Sequence, residues 1–352
     1  MTQVNRRTQR LMAALPFGAL CLVAALDALT GPEPGYLSLL AVGPAFASLV
    51  GDVRRTVLIG GVALGLSLAL SVYDEMLGDR RSDMSLISIA GVTAASILAT
   101  VGRQRREREL ASVRSVAEVA QRVLLRPVPR RAGHLRAAVS YTSATAEARI
   151  GGDLYEVVTG PGVVRAIVGD VQGKGLAAVE TAALVLGAFR EAAHDEADLR
   201  AVSGRLEKAL NRRLSGEEFV TAILVDADPD GTLTLLNYGH PPPLILHADG
   251  TIELVELSDT APPLGLADLK VEGPAPHRIA FGPGDQILLY TDGVIEARDR
   301  AGRFYPLTDR AFLLKDDDPE AALEALRLDL VAHVDAPLHD DAAMLLLRFR
   351  EG

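Results

Sequence analysis

The sequence predicts an α+β domain built on antiparallel sheets and preceded by an all-α transmembrane region. Three observations predict it. Residues 11–102 carry four long apolar runs in close succession. After residue 131, short apolar or alternating runs bounded by Gly, Pro or Asp come first, then two amphipathic helices, then strands in hairpin-like succession, the order of an α+β architecture. Aspartates recur at the ends of those strands.

At 352 residues the chain has room for about two domains. Its 49% of apolar residues is high, and the excess is local. The runs are 11–29, 36–50, 56–73 and 84–101. A spanning helix needs about 20 apolar residues, within about 17 to 25, so the first, third and fourth qualify by length, while the second is short and contains Pro44. Because three further runs follow the first, a multi-span domain of about four helices over residues 1–102 is expected rather than a cleaved leader. Arg6, Arg7 and Arg10, then Arg54 and Arg55, then RQRRER from residue 103 fall on one side of four spans. The positive-inside rule makes that side cytoplasmic, which places the C-terminal domain in the cytoplasm at a cell membrane. The loop GPEPG has no positive charge, whereas the loop at 74–83 mixes Arg80 and Arg81 with four acids and fits the pattern least. The competing reading, buried core helices of a soluble protein, conflicts with runs this long and nearly free of charge.

Cys21 is the single cysteine, so an intrachain disulfide and a cysteine-based metal site are excluded. A net charge of -10, with bases scattered after residue 131, gives no footprint for nucleic acid.

Residues 103–130 form a connector. The stretch RQRRERELASVRSVAEVAQRVLLRPVP is free of glycine and closed by Pro127 and Pro129, and reads as one helix. At about 24 residues it would run about 36 Å, continuous or nearly so with the last span. Leu110, Val113, Ala117, Ala120 and Leu124 follow heptad spacing. That stripe either pairs two copies in a homodimer or packs on the chain's own C-terminal domain.

Residues 131–352 have the size of one domain. Strands are expected at 163–168, 222–226, 233–237, 244–247, 286–290 and 343–349, and helices at 176–193 and about 198–214. DPDG, HADG and GPGD mark turns. Asp153 and Asp170 flank the first strand, Asp292 follows QILLYT, and Asp340 and Asp341 precede AAMLLLRF. If these strand ends meet, two carboxylates about 4 Å apart repel by roughly 4 kcal/mol at an effective dielectric near 20. Divalent cations relieve such a cluster, and carboxylates and carbonyls without thiolates or paired histidines suit Mg2+ or Mn2+. A single Gly-Asp pair is an ordinary turn; the whole set is what signals a site.

Two motif readings fail. Three residues separate Gly169 from Gly173 where a P-loop needs four, and Gly175 stands in place of the hydroxyl residue. A GGDEF cyclase hairpin needs an acid where Leu154 stands and Phe where Tyr155 stands.

The segments RIGGDLYEVV, VGDVQGKG, FVTAILVDADPDGTLTLLNYGHPPPLIL, PGDQILLYTDGVIEA and HDDAAMLLLRF resemble, in order, the motifs of PPM-type, protein phosphatase 2C-like, serine/threonine phosphatases of the bacterial SpoIIE and RsbU branch. The resemblance covers nearly all of residues 137–350. It implies a β-sandwich flanked by helices with two Mn2+ or Mg2+ ions at one edge. Asp153 and Asp170 would hold the metals together with the backbone carbonyl of Val171, and Asp292 and Asp340 would complete the first-metal side. Asp341 would be a supporting group or a strand cap. It further implies a water activated between two cations as the nucleophile, a phosphoserine or phosphothreonine substrate on an anti-sigma-factor antagonist, and an upstream helix that acts on the two central helices.

Lys174 either steers phosphate or is a solvated loop lysine. Glu156 replaces a common aspartate, His240 and His339 receive no role, and Asn211 and Thr221 are expected to be structural. The alternative to an enzyme is a catalytically silent membrane receptor or scaffold on the same fold. A histidine kinase shares the layout but lacks its histidine and asparagine boxes here.

Overall fold

The computed structural model describes residues 3–30, 36–75, 78–143, 151–160, 162–213, 218–257, 261–266, 273–334 and 338–350. The loop GPEPG, the Arg149-Ile150 start of RIGGDLY and the expected helix end at Leu214 lie outside them. The chain divides into two compact units, Met1–Ser112 and Val113–Gly352.

The first unit is helical: α1 (Gln3–Thr30), a 3-10 turn Tyr36–Ala41, α2 (Val42–Val50), α3 (Val53–Tyr73) and the first part of α4 (Arg80–Leu124). Two helices, Val53–Tyr73 and Arg80–Ser112, are long and apolar enough to cross a membrane, while Ala14–Leu29 and Tyr36–Leu49 are shorter apolar stretches. The face that α3 buries is small or polar apart from Ile59: Thr56, Ile59, Gly60, Ala63, Ser67 and Ser71. A Cβ at Gly60 would collide with the Thr93 side chain on α4, so the two helices are in close contact there. Ser82 donates to Ser71 at 2.7 Å across the same hairpin. Leu58, Val62, Leu68, Val72, Ile87 and Leu98 face outward. Leu20, Leu37, Leu40, Ile59 and Ile89 form a buried apolar cluster beside this small and polar seam, while many large apolar side chains of α3 and α4 stay on the outside.

The second unit is a sandwich. One sheet, all antiparallel, orders its strands as β1 (Arg131–Ala132), β2 (Leu135–Thr142), β11 (Ala342–Phe349), β10 (Gln286–Tyr290), β7 (Leu244–Leu246) and β8 (Ile252–Leu254). The other, also antiparallel, runs β3 (Asp153–Thr159), β4 (Val164–Val171), β5 (Val220–Ala227), β6 (Thr232–Tyr238) and β9 (His277–Ala280). Between the sheets lie Val164, Ala166 and Val168 with Ile223, Ile287, Leu345 and their neighbours. The other face of the second sheet, with Ile167 and Leu224, packs on α5 (Leu176–Asp195) and α6 (Leu199–Asn211). The outer face of the first sheet packs on α7 (Asp292–Ile295), α8 (Leu307–Arg310) and α9 (Pro319–Val334). This four-layer order explains why VVRAIV is apolar on both faces apart from Arg165: β4 is buried on both faces.

The sequence reading differs at several points. Strands β1, β2, β3, β8 and β9 and helix α9 add to the expected set. Asp153 and Asp170 do not bracket one strand; they are direct partners across β3 and β4. The connector helix forms and ends at Leu124, where Arg190 donates to the Leu124 carbonyl at 3.0 Å and to Glu156 at 2.5 Å. Ala120 and Leu124 pack on Val179 of α5, so this end of the stripe seats on its own domain. Val116, Val119 and Val123 remain exposed on another face.

Candidate functional site

One end of the sandwich collects the acids because antiparallel pairing fixes which strand ends meet. The start of β3 and the end of β4 put Asp153 and Asp170 side by side. The end of β10 and the start of β11 lie together in the other sheet, where Tyr290 pairs with Met344. Asp292 follows the first of these and Asp340 and Asp341 precede the second. Thr291 joins the two sheets: its hydroxyl donates to Asp153 at 2.9 Å and accepts from the Ala343 amide at 3.0 Å. A Cβ at Gly293 would run into the Asp341 carbonyl, and one at Gly152 into the Val171 carbonyl. At both turns the backbones approach more closely than any side chain permits.

The electrostatics are those of an acid cluster short of counter-charge. Burial, then the neighbouring Asp170 charge, hold the Asp153 carboxyl well above the usual range, against the opposing Thr291 hydrogen bond. Asp170 is pushed up to about 7 by burial, then by Asp292 and Asp340, with Lys174 opposing. Asp292 is raised by burial and by Glu296 and Asp340. Because Asp170 binds its proton more tightly when folded, its own contribution to stability without divalent metal is fully present below about 4 and is lost as pH rises toward about 7. Thermal melts in chelator at stepped pH should show that fall. It should shrink in Asp170→Asn, and a slope unchanged by that substitution would contradict the assignment.

Asp341 is 3% exposed and works as framework. It accepts from the Gly151 amide at 3.0 Å, from Ser143 at 3.3 Å and from the Tyr141 hydroxyl. Gln121, near the end of α4, donates to the Tyr141 oxygen at 2.8 Å and to the Gly151 carbonyl at 3.2 Å. A hydrogen-bonded chain thus runs from the connector helix to Asp341. Tyr141 and Gln121 were not legible as site residues, since neither stands in a motif. Tyr141→Phe removes a donor to a buried carboxylate and is expected to cost about 1–3 kcal/mol in urea unfolding; an unchanged midpoint would exclude the role.

The remaining candidates separate clearly. His240 is buried, with Nδ1 3.2 Å from the Thr221 hydroxyl, and burial lowers its pKa to about 3, which keeps the ring neutral. His339 is exposed and lines a cavity of about 260 Å3 with Gly293, Glu296, Arg298 and Asp340. Lys174 is exposed on its loop and lies 2.8 Å from Asp340.

Among the described residues no three His, Cys, Asp or Glu side chains close into a ready cage. The donors present are carboxylates and a carbonyl spread around one edge, which fits hard cations that keep much of their water and take only one or two carboxylates each.

The family model described as Stage II sporulation protein E (SpoIIE) matches residues 160–350, more than half of the chain. Among solved structures, the RsbU and RsbW domains of Rv1364c from Mycobacterium tuberculosis match with 26% identity and a TM-score of 0.53, over 61% of this chain and 60% of that one. The SiaA-PP2C domain of Pseudomonas aeruginosa matches with 20% identity and a TM-score of 0.56, over 70% and 98%. The PP2C phosphatase domain and regulatory fragment of SpoIIE from Bacillus subtilis match with 16% identity and a TM-score of 0.52, over 62% and 64%. The chain thus spans about three-fifths of the first of these. With the two-sheet sandwich and the ordered motifs, these matches place the chain in the SpoIIE family, and its second unit has the fold of a PP2C phosphatase domain.

Proposed function

We propose that the chain is a membrane-anchored, metal-dependent phosphoprotein phosphatase acting on phosphoserine or phosphothreonine. The observation that carries the reading is the gathering of Asp153, Asp170, Asp292 and Asp340 at one end of the sandwich, with the carboxyl groups of Asp153, Asp170 and Asp292 raised by burial and neighbouring negative charge. Asp153, Asp170, the Val171 carbonyl, Asp292 and Asp340 would hold two Mn2+ or Mg2+ ions. When bound, such ions supply an activated water and neutralise phosphoryl oxygens. Thr291 and Asp341 keep the acids in register, and the cavity beside Asp340 offers the approach for a phosphorylated side chain.

Residues 1–102 are read as a multi-pass cell-membrane anchor with the phosphatase domain cytoplasmic. The outward apolar side chains of α3 and α4 support this. Residues 103–130 are read as the signalling connector and 131–352 as the catalytic domain. Val116, Val119 and Val123 are the exposed stripe through which a homodimer would form. The substrate is read as an anti-sigma-factor antagonist, on the strength of the family resemblance.

The test is phosphate release from a phosphoserine protein by the full chain in detergent. Release is expected with Mn2+ or Mg2+ and none in chelator. Metal-independent release would overturn the mechanism, and Mn2+ binding without release would favour the silent scaffold.

A further inference from the structure

The turn GDVQGKG carries a cation into the acid cluster. Lys174 Nζ lies 2.8 Å from Asp340 Oδ1, and the same oxygen accepts from the Asp341 amide at 3.0 Å. We infer that Lys174 is a tethered counter-cation that competes with divalent metal for Asp340, holding the chain's metal affinity below what its acids alone would give. The inference rests on the metal-centre reading above.

The placement of Lys174 is otherwise unfavourable. It immediately precedes Gly175, the N-cap of the 20-residue helix α5, where the helix dipole disfavours a cation. Gly173 and Gly175 on either side have φ of 98° and 87°, backbone that side chains rarely adopt. Between these glycines Lys174 reaches Asp340, just ahead of β11. The acids offset the dipole, and the lysine charge in turn opposes the upward shift at Asp170 and Asp292. An ammonium on Asp340 thus supplies part of the neutralisation that metal would supply, and occupies a ligand oxygen while doing so. The two side chains are 35% and 49% exposed, so the pair exchanges readily with water and ions. An exposed ion pair is weak, which sets the competition at about two- to fivefold in affinity.

The test is titration of the full chain in detergent with Mn2+, reading unbound Mn2+ by its paramagnetic resonance signal. Lys174→Ala is expected to tighten the weaker Mn2+ site about two- to fivefold, and Lys174→Arg to leave it near wild type. Made on an Asp340→Asn background, Lys174→Ala should change nothing, because the carboxylate charge for which the two cations compete is gone. Equal or weaker Mn2+ binding by Lys174→Ala overturns the inference and leaves the metal centre standing. A gain that persists with Asp340→Asn also overturns it, as long-range charge then suffices. No Mn2+ binding by any of these chains overturns the metal-centre reading and the inference together.

Discussion

Asp170→Asn is expected to abolish metal-dependent hydrolysis of a phosphoserine protein while leaving the fold intact. Asp170 sits at the end of β4 opposite Asp153, and its carboxyl is pushed up to about 7 by burial together with Asp292 and Asp340. The amide keeps the shape but removes the anion on which both cations would depend. Removing one electrostatic group from a preorganised site commonly costs about 10²–10³ in rate, and a shared ligand should lie at or beyond that range. Without metal the variant should melt no lower than wild type, since a neutral side chain relieves repulsion. Full activity in Asp170→Asn would remove the residue from the mechanism; a lowered melting temperature in chelator would show that the acid holds the fold instead.

Arg165→Ala should give the largest loss of stability. Arg165 is 3% exposed and bonds Asp226 at 3.0 Å. Its remaining donors reach the carbonyls of Ala193, Glu196 and Ala197 at 3.0, 2.6 and 3.1 Å, so one guanidinium closes the end of α5 and the turn into α6. Burial already pushes Asp226 up to about 6 against the pull of Arg165. Alanine would leave that carboxylate and three carbonyls without their partner, and breaking a buried pair from one side costs about 3–5 kcal/mol. Urea unfolding checks it. The double variant Arg165→Met with Asp226→Leu should recover much of the loss, because no buried charge then stands alone. If the single variant unfolds at the wild-type urea concentration, the pair is not structural.

The sequence made the chemistry more legible than the geometry. Five ordered motifs identified the acids and the α+β class, since carboxylates at the mouths of apolar strands are a local pattern. Which strands neighbour one another is not local. Asp153 and Asp170 looked like the two ends of one strand, yet they face each other across a β-hairpin whose first strand begins at Asp153 itself. Strand β3 was hidden because DLYEVVT mixes acids with apolar residues; its Glu156 is buried only because Arg190 meets it. Helix α9 was hidden because it lies between turn-like acids and the HDD motif, with no chemistry to draw attention to it. Tyr141 and Gln121 gain meaning only when β2 is placed beside β11 and the connector helix ends nearby. Lys174 illustrates the same limit: its nearness to Asp340, 166 residues on, is visible only when the turn and that strand end are set together.

The central claim is that Asp153, Asp170, Asp292 and Asp340 form one two-metal centre. Crystals of the full chain grown with Mn2+ and measured at the manganese absorption edge test it directly. Two anomalous peaks are expected among these four carboxylates, one of them within reach of the Val171 carbonyl, and Asp170→Asn should lose at least one. No peak there, or peaks only elsewhere on the surface, would contradict it.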